Sequence, residues 1–144
     1  MEKERTLILI KPDGVAQRHI GEILTRIERK GYQIIALKVT TATQEKLRAH
    51  YAQKVDKPYF KDICAYMMEG PPLVAVVAEG INIIAAFHRM AGATEPLAAA
   101  PGTIRADFGC EWADGNLRNV VHSSDEAQSA AQEIKIWFPE LTEK

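Results

Sequence analysis

The chain has 144 residues, 47% of them hydrophobic, and a formal net charge of −1. That length and apolar content predict one globular domain over residues 1–144 with a substantial core, and the near-neutral charge excludes a global drive toward nucleic acid or an anionic membrane. The apolar runs are too short to span a bilayer. Glu2, Lys3, Glu4 and Arg5 precede a first apolar run of only residues 7–10, so no secretory leader is expected. Cys64 and Cys110 lack CxxC spacing, which argues against a disulfide framework or a zinc site and reads as buried or half-buried free thiols of a cytoplasmic protein.

In chain order, residues 6–10 read as a β-rich strand stopped by Lys11-Pro12-Asp13-Gly14, which is turn chemistry. Ile20, Ile23, Leu24 and Ile27 fall at helical spacing, and Gly31 ends that helix after Arg29 and Lys30. Residues 32–40 follow as a strand with Ile35, Leu37 and Val39 on one face. Thr41-x-x-Gln44 is predicted to cap a second helix ending near Tyr51, and Phe60, Ile63, Cys64 and Met67 mark a third, closed by Gly70 and two prolines. Residues 73–78 form a continuous apolar run, as in a strand buried on both faces. Residues 82–90 read as a helix with Ile83, Ile84 and Phe87 inward and Gly92 after it. From 94 to 118 regular patterning fades into a long loop, the kind that carries function in a small domain. A strand at 119–122 and a helix at 125–138 close the chain, the helix burying Ala127, Ala130, Ala131 and Ile134. The order β-α-β-(αα)-β-α-β-α is close to the split βαβ pattern. It predicts an α/β chain (an α+β sandwich), ferredoxin-like, with an antiparallel four-stranded sheet covered by helices.

One stretch stands out chemically: Arg118-Asn119-Val120-Val121-His122-Ser123-Ser124-Asp125. Ser123-x-x-Glu126 fits a capping box, which would set His122 at a strand end beside the free N–H groups of a helix start, a place to handle phosphate. GxxxxGK[ST], GxGxxG and HExxH are all absent, so a P-loop, a Rossmann fingerprint and a zincin are excluded at the level of sequence. Lys11 at a strand end, Arg105 and Asp107 after Pro101-Gly102-Thr103, and Arg118-Asn119 before the histidine remain as polar groups that regular packing does not explain. Spacing alone leaves His19, His50 and His88 open beside His122; only the strand-to-helix position favours the last.

The stretch 118–125 resembles the N-x-x-H-G-S-D signature of nucleoside diphosphate kinases. Further blocks are similar to the same family in the same order: Arg5-Thr6-Leu7 through Lys11-Pro12-Asp13-Gly14-Val15, His50-Tyr51, Lys57-Pro58-Tyr59-Phe60, Glu69-Gly70-Pro71, Gly92-Ala93-Thr94, and Pro101-Gly102-Thr103-Ile104-Arg105-Ala106-Asp107-Phe108. The resemblance runs from about residue 4 to residue 138. It implies transfer of the γ-phosphoryl group of a nucleoside triphosphate, typically ATP, to a nucleoside diphosphate through a phosphohistidine at His122. On the same ground Lys11 and Arg105 are expected to hold phosphates, Thr94 to donate to one, Asn119 to contact the sugar, and Tyr51 to lie beside His122. Tyr59 stands where the family stacks an aromatic on the base, and Ser124 and Glu133 match the pair that orients the histidine ring. Mg²⁺ is expected to arrive on the nucleotide phosphates, with no metal ligand in the chain, and the assembly is expected to be a hexamer or tetramer. Phosphoryl transfer needs mainly positioning and charge neutralisation, which suits a cradle of cations around a neutral imidazole.

Three departures from the family follow. Ser123 replaces the signature glycine. His88 falls where the family has a phosphate-clamping arginine, with Arg89 next to it, and one residue is a rotation of about 100° on a helix. The segment 109–117 is longer than usual and contains Trp112, read as loop packing, and the predicted turn Asp114-Gly115. These departures keep a second reading open: a nucleotide-binding ferredoxin-like regulatory module with little turnover.

Overall fold

The computed structural model describes residues 2–113 and 117–141. The elements in order are β1 (Lys3–Ile10), α1 (Pro12–Ala16), α2 (Ile20–Arg29), β2 (Gln33–Thr40), α3 (Gln44–His50), α4 (Phe60–Met68), β3 (Leu73–Ile81), α5 (Ile83–Ala91), α6 (Ile104–Phe108), β4 (Cys110–Glu111), β5 (Leu117–Arg118), β6 (Val121–Ser123) and α7 (Ala127–Trp137), with 3₁₀ turns at Ala52–Lys54, Pro96–Ala98 and Pro139–Leu141. Four strands form one antiparallel sheet in the order β2-β3-β1-β6, and β4 and β5 make a separate ribbon. This is the α+β arrangement expected, with the first and third sheet strands in the centre. No described helix is long and apolar enough to cross a membrane.

Side-chain alternation divides the core into two layers. Ile8 and Ile10 of β1 and Val74, Val76 and Ala78 of β3 pack under α2 and α5, with Ile23, Ile27 and Phe87. Leu7 and Leu9, with Leu73, Ala75 and Val77, point the other way into a layer holding Leu47, Phe60, Met67, Ile134, Trp137 and Phe138 from α3, α4 and the α7 end. The short strand β6 obeys the same rule. Val121 joins the first layer, whereas His122, opposite Leu9, faces the α7 side. The sheet's pleat therefore decides which face of the molecule carries the histidine.

The local expectations fail in instructive places. Lys11-Pro12-Asp13-Gly14 is a helix start and not a bare turn, because proline at the first helical position needs no N–H partner. Thr43, not Thr41, caps α3 by accepting from the Lys46 amide at 3.1 Å. A register irregularity between Ile34 and Ala36 breaks the alternation of β2, so Ile35 packs inward while Leu37 and Val39 are 49% and 68% exposed. The segment 94–118 is not structureless, since Thr103 caps α6 through the Ala106 amide at 3.2 Å. The helix expected at 125–138 begins at Ala127, boxed by Glu126 and Ser129 in place of Ser123, and it buries Ala130, Glu133, Ile134 and Trp137 while Ala127 and Ala131 are exposed. Cys64 is buried, but Cys110 is exposed on β4. Trp112 stacks on the Arg118 guanidinium at 4.2 Å, which accounts for it as loop packing; Asp114-Gly115 lies outside the described residues.

Candidate active site

A relay of hydrogen bonds crosses from the sheet to α7. The Leu7 amide donates to Ser124 Oγ at 3.1 Å, and that hydroxyl donates in turn to Glu133 Oε1 at 2.7 Å. The same oxygen lies 2.8 Å from His122 Nε2. An oxygen already accepting from Ser124 acts as acceptor here too, so the ring proton sits on Nε2 and the lone pair is left on Nδ1. Burial, followed by the charges of Lys11 and Arg105, pulls the His122 pKa down to about 3. The ring is therefore neutral at physiological pH. Burial pushes the Glu133 carboxyl up, against the pull of His50 and Ser124.

His50 lies against His122 with ring centroids 4.4 Å apart and planes at 73°, and it also meets Tyr51 edge to face at 4.6 Å. Trp137 Nε1–H donates to His50 Nδ1 at 3.0 Å, which places the His50 proton on a buried Nε2 that has no other partner. Burial and the neighbouring His122 hold His50 near pKa 3 as well. His50, His122 and Glu133 come within 4.8 Å of one another, a spacing that could suit a metal. However, His50 has spent its one lone pair on the indole and the other two bond each other, so this trio fits a resident cation poorly. Tyr51, the C-cap of α3, has its hydroxyl pKa raised by burial and then by Glu133.

On the other side, Lys11 Nζ donates to Asn119 Oδ1 at 2.9 Å, and Asn119 Nδ2 donates to the Thr94 carbonyl at 3.1 Å. Burial, then the Arg105 charge, brings the Lys11 ammonium down to about 7. An anion beside it would restore the charge. Arg105 is buried, and its Nε, Nη1 and Nη2 donate to the carbonyls of Asn119, Gly92 and Val121 at 3.3, 2.8 and 2.7 Å. Burial lowers its pKa too. Tyr59 is half exposed at the start of α4, and Thr94 is exposed in the loop after α5.

Of the two residues offered at the arginine position, His88 reaches this side of the molecule: its Nε2 lies 3.1 Å from Asp125 Oδ1, and Asp125 acts on both His122 and Arg105. Arg89, about 100° further round α5, instead lines a surface depression with Lys30, Ala86 and Met90. The structure thus brings together His122, Glu133, Ser124, Tyr51, Lys11, Asn119, Arg105 and the Thr94 carbonyl, and leaves Arg89 outside. The phosphate-friendly helix start predicted beside His122 is filled by the Glu126–Ser129 box. Sequence reasoning misses Trp137 and Asp13 and gives His50 no role. Trp137 had a signal, because it stands one turn beyond Glu133 on the buried face of α7.

Two neutral, half-buried histidines make stability fall in acid. Their folded pKa values of about 3 lie below the unfolded value of 6.5, so between those limits the unfolded chain binds protons that the folded one refuses. Each histidine removes about 1.4 kcal/mol per pH unit across that window. Glu133, with its raised pKa, opposes this just above 4.5 but is one group against two. Urea unfolding midpoints should decline from pH 6.5 to pH 5, and a flat profile over that range would sink the assignment.

A family model described as nucleoside diphosphate kinase matches residues 4–142. The nucleoside diphosphate kinase of Thermobifida fusca (strain YX) is 50% identical over 138 residues, covering 96% of this chain and 98% of that protein. That of Rhodococcus erythropolis is 49% identical over 140 residues, covering 96% and 97%. Among solved structures, the Aquifex aeolicus nucleoside diphosphate kinase superposes with a TM-score of 0.87 at 38% identity, covering 95% of this chain and 96% of that one. A halophilic nucleoside diphosphate kinase from Halobacterium salinarum in complex with CDP gives 0.86 at 36% identity, covering 95% and 88%. With matches of this extent, the chain belongs to the nucleoside diphosphate kinase family, a family of phosphotransferases.

Proposed function

We propose that this protein is a nucleoside diphosphate kinase that moves the γ-phosphoryl group of ATP, or of another nucleoside triphosphate, to nucleoside diphosphates through a phosphohistidine on His122. The observation that carries this reading is the relay from Leu7 through Ser124 and Glu133 to His122, which leaves a neutral ring with its Nδ1 lone pair unused. In the first half-reaction Nδ1 bonds to phosphorus as the bond to the bridging oxygen breaks, and the nucleoside diphosphate leaves with that electron pair. The positive charge gained by the ring is countered by Glu133 through Nε2–H. The second half-reaction is the reverse with a different diphosphate, giving ping-pong kinetics.

In this reading Lys11 and Arg105 face the phosphates, with Thr94 as a donor, Asn119 at the sugar, Tyr51 beside the reacting phosphoryl group and Tyr59 under the base. Stacking on one exposed tyrosine tolerates purines and pyrimidines alike, since every base has a π-face. His88, with Asp125, occupies the clamp position with less charge than an arginine. Asp13 and Glu133 are engaged by protein donors, so Mg²⁺ is best placed on the nucleotide phosphates, where it supplies charge neutralisation during transfer. We take residues 1–144 as a single cytoplasmic domain. An edge strand with exposed Leu37 and Val39 supports assembly into a homo-oligomer, a hexamer or tetramer by family analogy.

The test is direct. Incubation with γ-labelled ATP and Mg²⁺ should label the protein itself in an acid-labile, base-stable form, and GDP should discharge the label as GTP. Tight nucleotide binding with negligible labelling would instead favour the regulatory-module reading, for which His88 and Ser123 are the supporting features.

A further inference from the structure

Val120 stands out in the backbone. It is a fully buried β-branched residue at φ +75°, a left-handed conformation such side chains rarely adopt. The Val121 amide donates to the Asn119 carbonyl at 2.7 Å, so Val120 is the central residue of a γ-turn of the rare positive-φ kind. Such a turn persists only where its surroundings over-determine it. Here the surroundings are the start of α1. The Val120 carbonyl accepts from the Lys11 amide at 2.7 Å, and the Val120 amide donates to Asp13 Oδ2 at 3.2 Å. A Cβ on Gly14 would stand 3.0 Å from Val120 Cγ1, so that position is closed as well. Asp13 is itself aimed: Tyr66 Oη donates to its other oxygen, Oδ1, at 2.6 Å.

The consequence reaches the nucleophile two residues later. The γ-turn brings the chain into β6 in the register that sets Val121 against Ile10 and His122 against Leu9, and that register points His122 at Glu133. It also delivers the Asn119 and Val121 carbonyls to Arg105 and the Asn119 side chain to Lys11. We propose that Asp13, oriented by Tyr66, is a positioning residue for phosphoryl transfer, holding the Val120 γ-turn so that His122 meets the phosphorus in line. The inference rests on the phosphotransfer reading above, and wild-type labelling comes first: a wild-type protein that never labels defeats that reading, whereas the effects below concern Asp13 alone.

The decisive experiment is second-site rescue. Asp13→Ala should lower the rate of self-phosphorylation at saturating ATP by about 10- to 100-fold, the usual penalty for a small misplacement of reacting groups, with KM for ATP changed less than about threefold. Asp13→Asn keeps an acceptor for the Val120 amide and should stay within about fivefold of wild type. Glycine takes φ +75° without strain, so adding Val120→Gly to Asp13→Ala should recover about fivefold or more of the lost rate. A merely structural aspartate would not be rescued in this way. The proposal is overturned if Asp13→Ala labels at the wild-type rate, if the loss lies in KM, or if the double variant folds and is no faster than Asp13→Ala. Should neither alanine variant fold, Tyr66→Phe decides: a roughly two- to fivefold slower labelling rate with unchanged KM supports the proposal, and an unchanged rate overturns it.

Discussion

His122→Ala is expected to abolish self-phosphorylation from ATP and to reduce nucleotide exchange by about a thousandfold or more, because no neighbouring group can replace the lost nucleophile. His50 is the nearest substitute, with its ring against His122, and it is equally neutral. But its Nδ1 lone pair already accepts the Trp137 indole proton, and its other nitrogen therefore carries a hydrogen. His88 is held by Asp125, and His19 is stacked on Phe108 at 4.1 Å in another part of the molecule. The companion variant separates chemistry from damage. His50→Ala leaves the buried Trp137 N–H without an acceptor, so it should cost about 1–3 kcal/mol of stability while still taking up label. Label incorporation, steady-state exchange and a thermal melt on both variants give the answer. Equal loss of label in the two would mean that the pocket collapses and that His122 has no special role.

How legible was this arrangement? The unbroken apolar run at 73–78 predicts a central strand, because a strand buried on both faces needs apolar residues at every position; residues 6–10 read only as a strand, although Leu7, Ile8, Leu9 and Ile10 are buried in the same way. The pleat rule then sets His122 on the face opposite Val121, and the register of β6 on β1 turns it to the α7 face. Elsewhere tertiary contacts overrode local signals. Ser123 looks like a helix cap in the sequence, but its pairing opposite Ile8 draws it into β6, where its hydroxyl is buried without a partner. Thr41 and Thr43 offer the same capping chemistry two residues apart, and the end of β2 chooses between them. The choice between His88 and Arg89 is a matter of helix phase, which spacing cannot resolve until α5 is docked on the sheet. The Asp13–Tyr66 and His50–Trp137 pairs were out of reach for a different reason: their partners lie 53 and 87 residues apart, and only the fold brings them together.

The largest stability effect belongs to Arg105. As a phosphate ligand it would be expected to extend freely into the pocket; in the structure it closes three backbone carbonyls, a half-buried one at the end of α5 and two buried ones on the approach to β6 and in β6 itself. Arg105→Ala takes that donor from the Gly92 and Val121 carbonyls, while the Asn119 carbonyl keeps the Val121 amide at 2.7 Å. Each carbonyl left unpaired costs about 1–3 kcal/mol, so the variant should lose on the order of 2–4 kcal/mol after partial rehydration. For a chain of this size that corresponds to about 5–15 °C in Tm. Arg105→Lys should recover little of it, because one ammonium on a flexible stem cannot span three carbonyls that a planar guanidinium reaches at once. The two roles are compatible in number, since the guanidinium has five N–H donors and the three carbonyls engage three of them. Saturating nucleotide then distinguishes a clamp from a ligand. A purely structural Arg105 predicts that ATP raises the Tm of Arg105→Lys as much as that of wild type. An arginine that also holds phosphate predicts a smaller rise and a higher KM in the lysine variant, and that is the expected result.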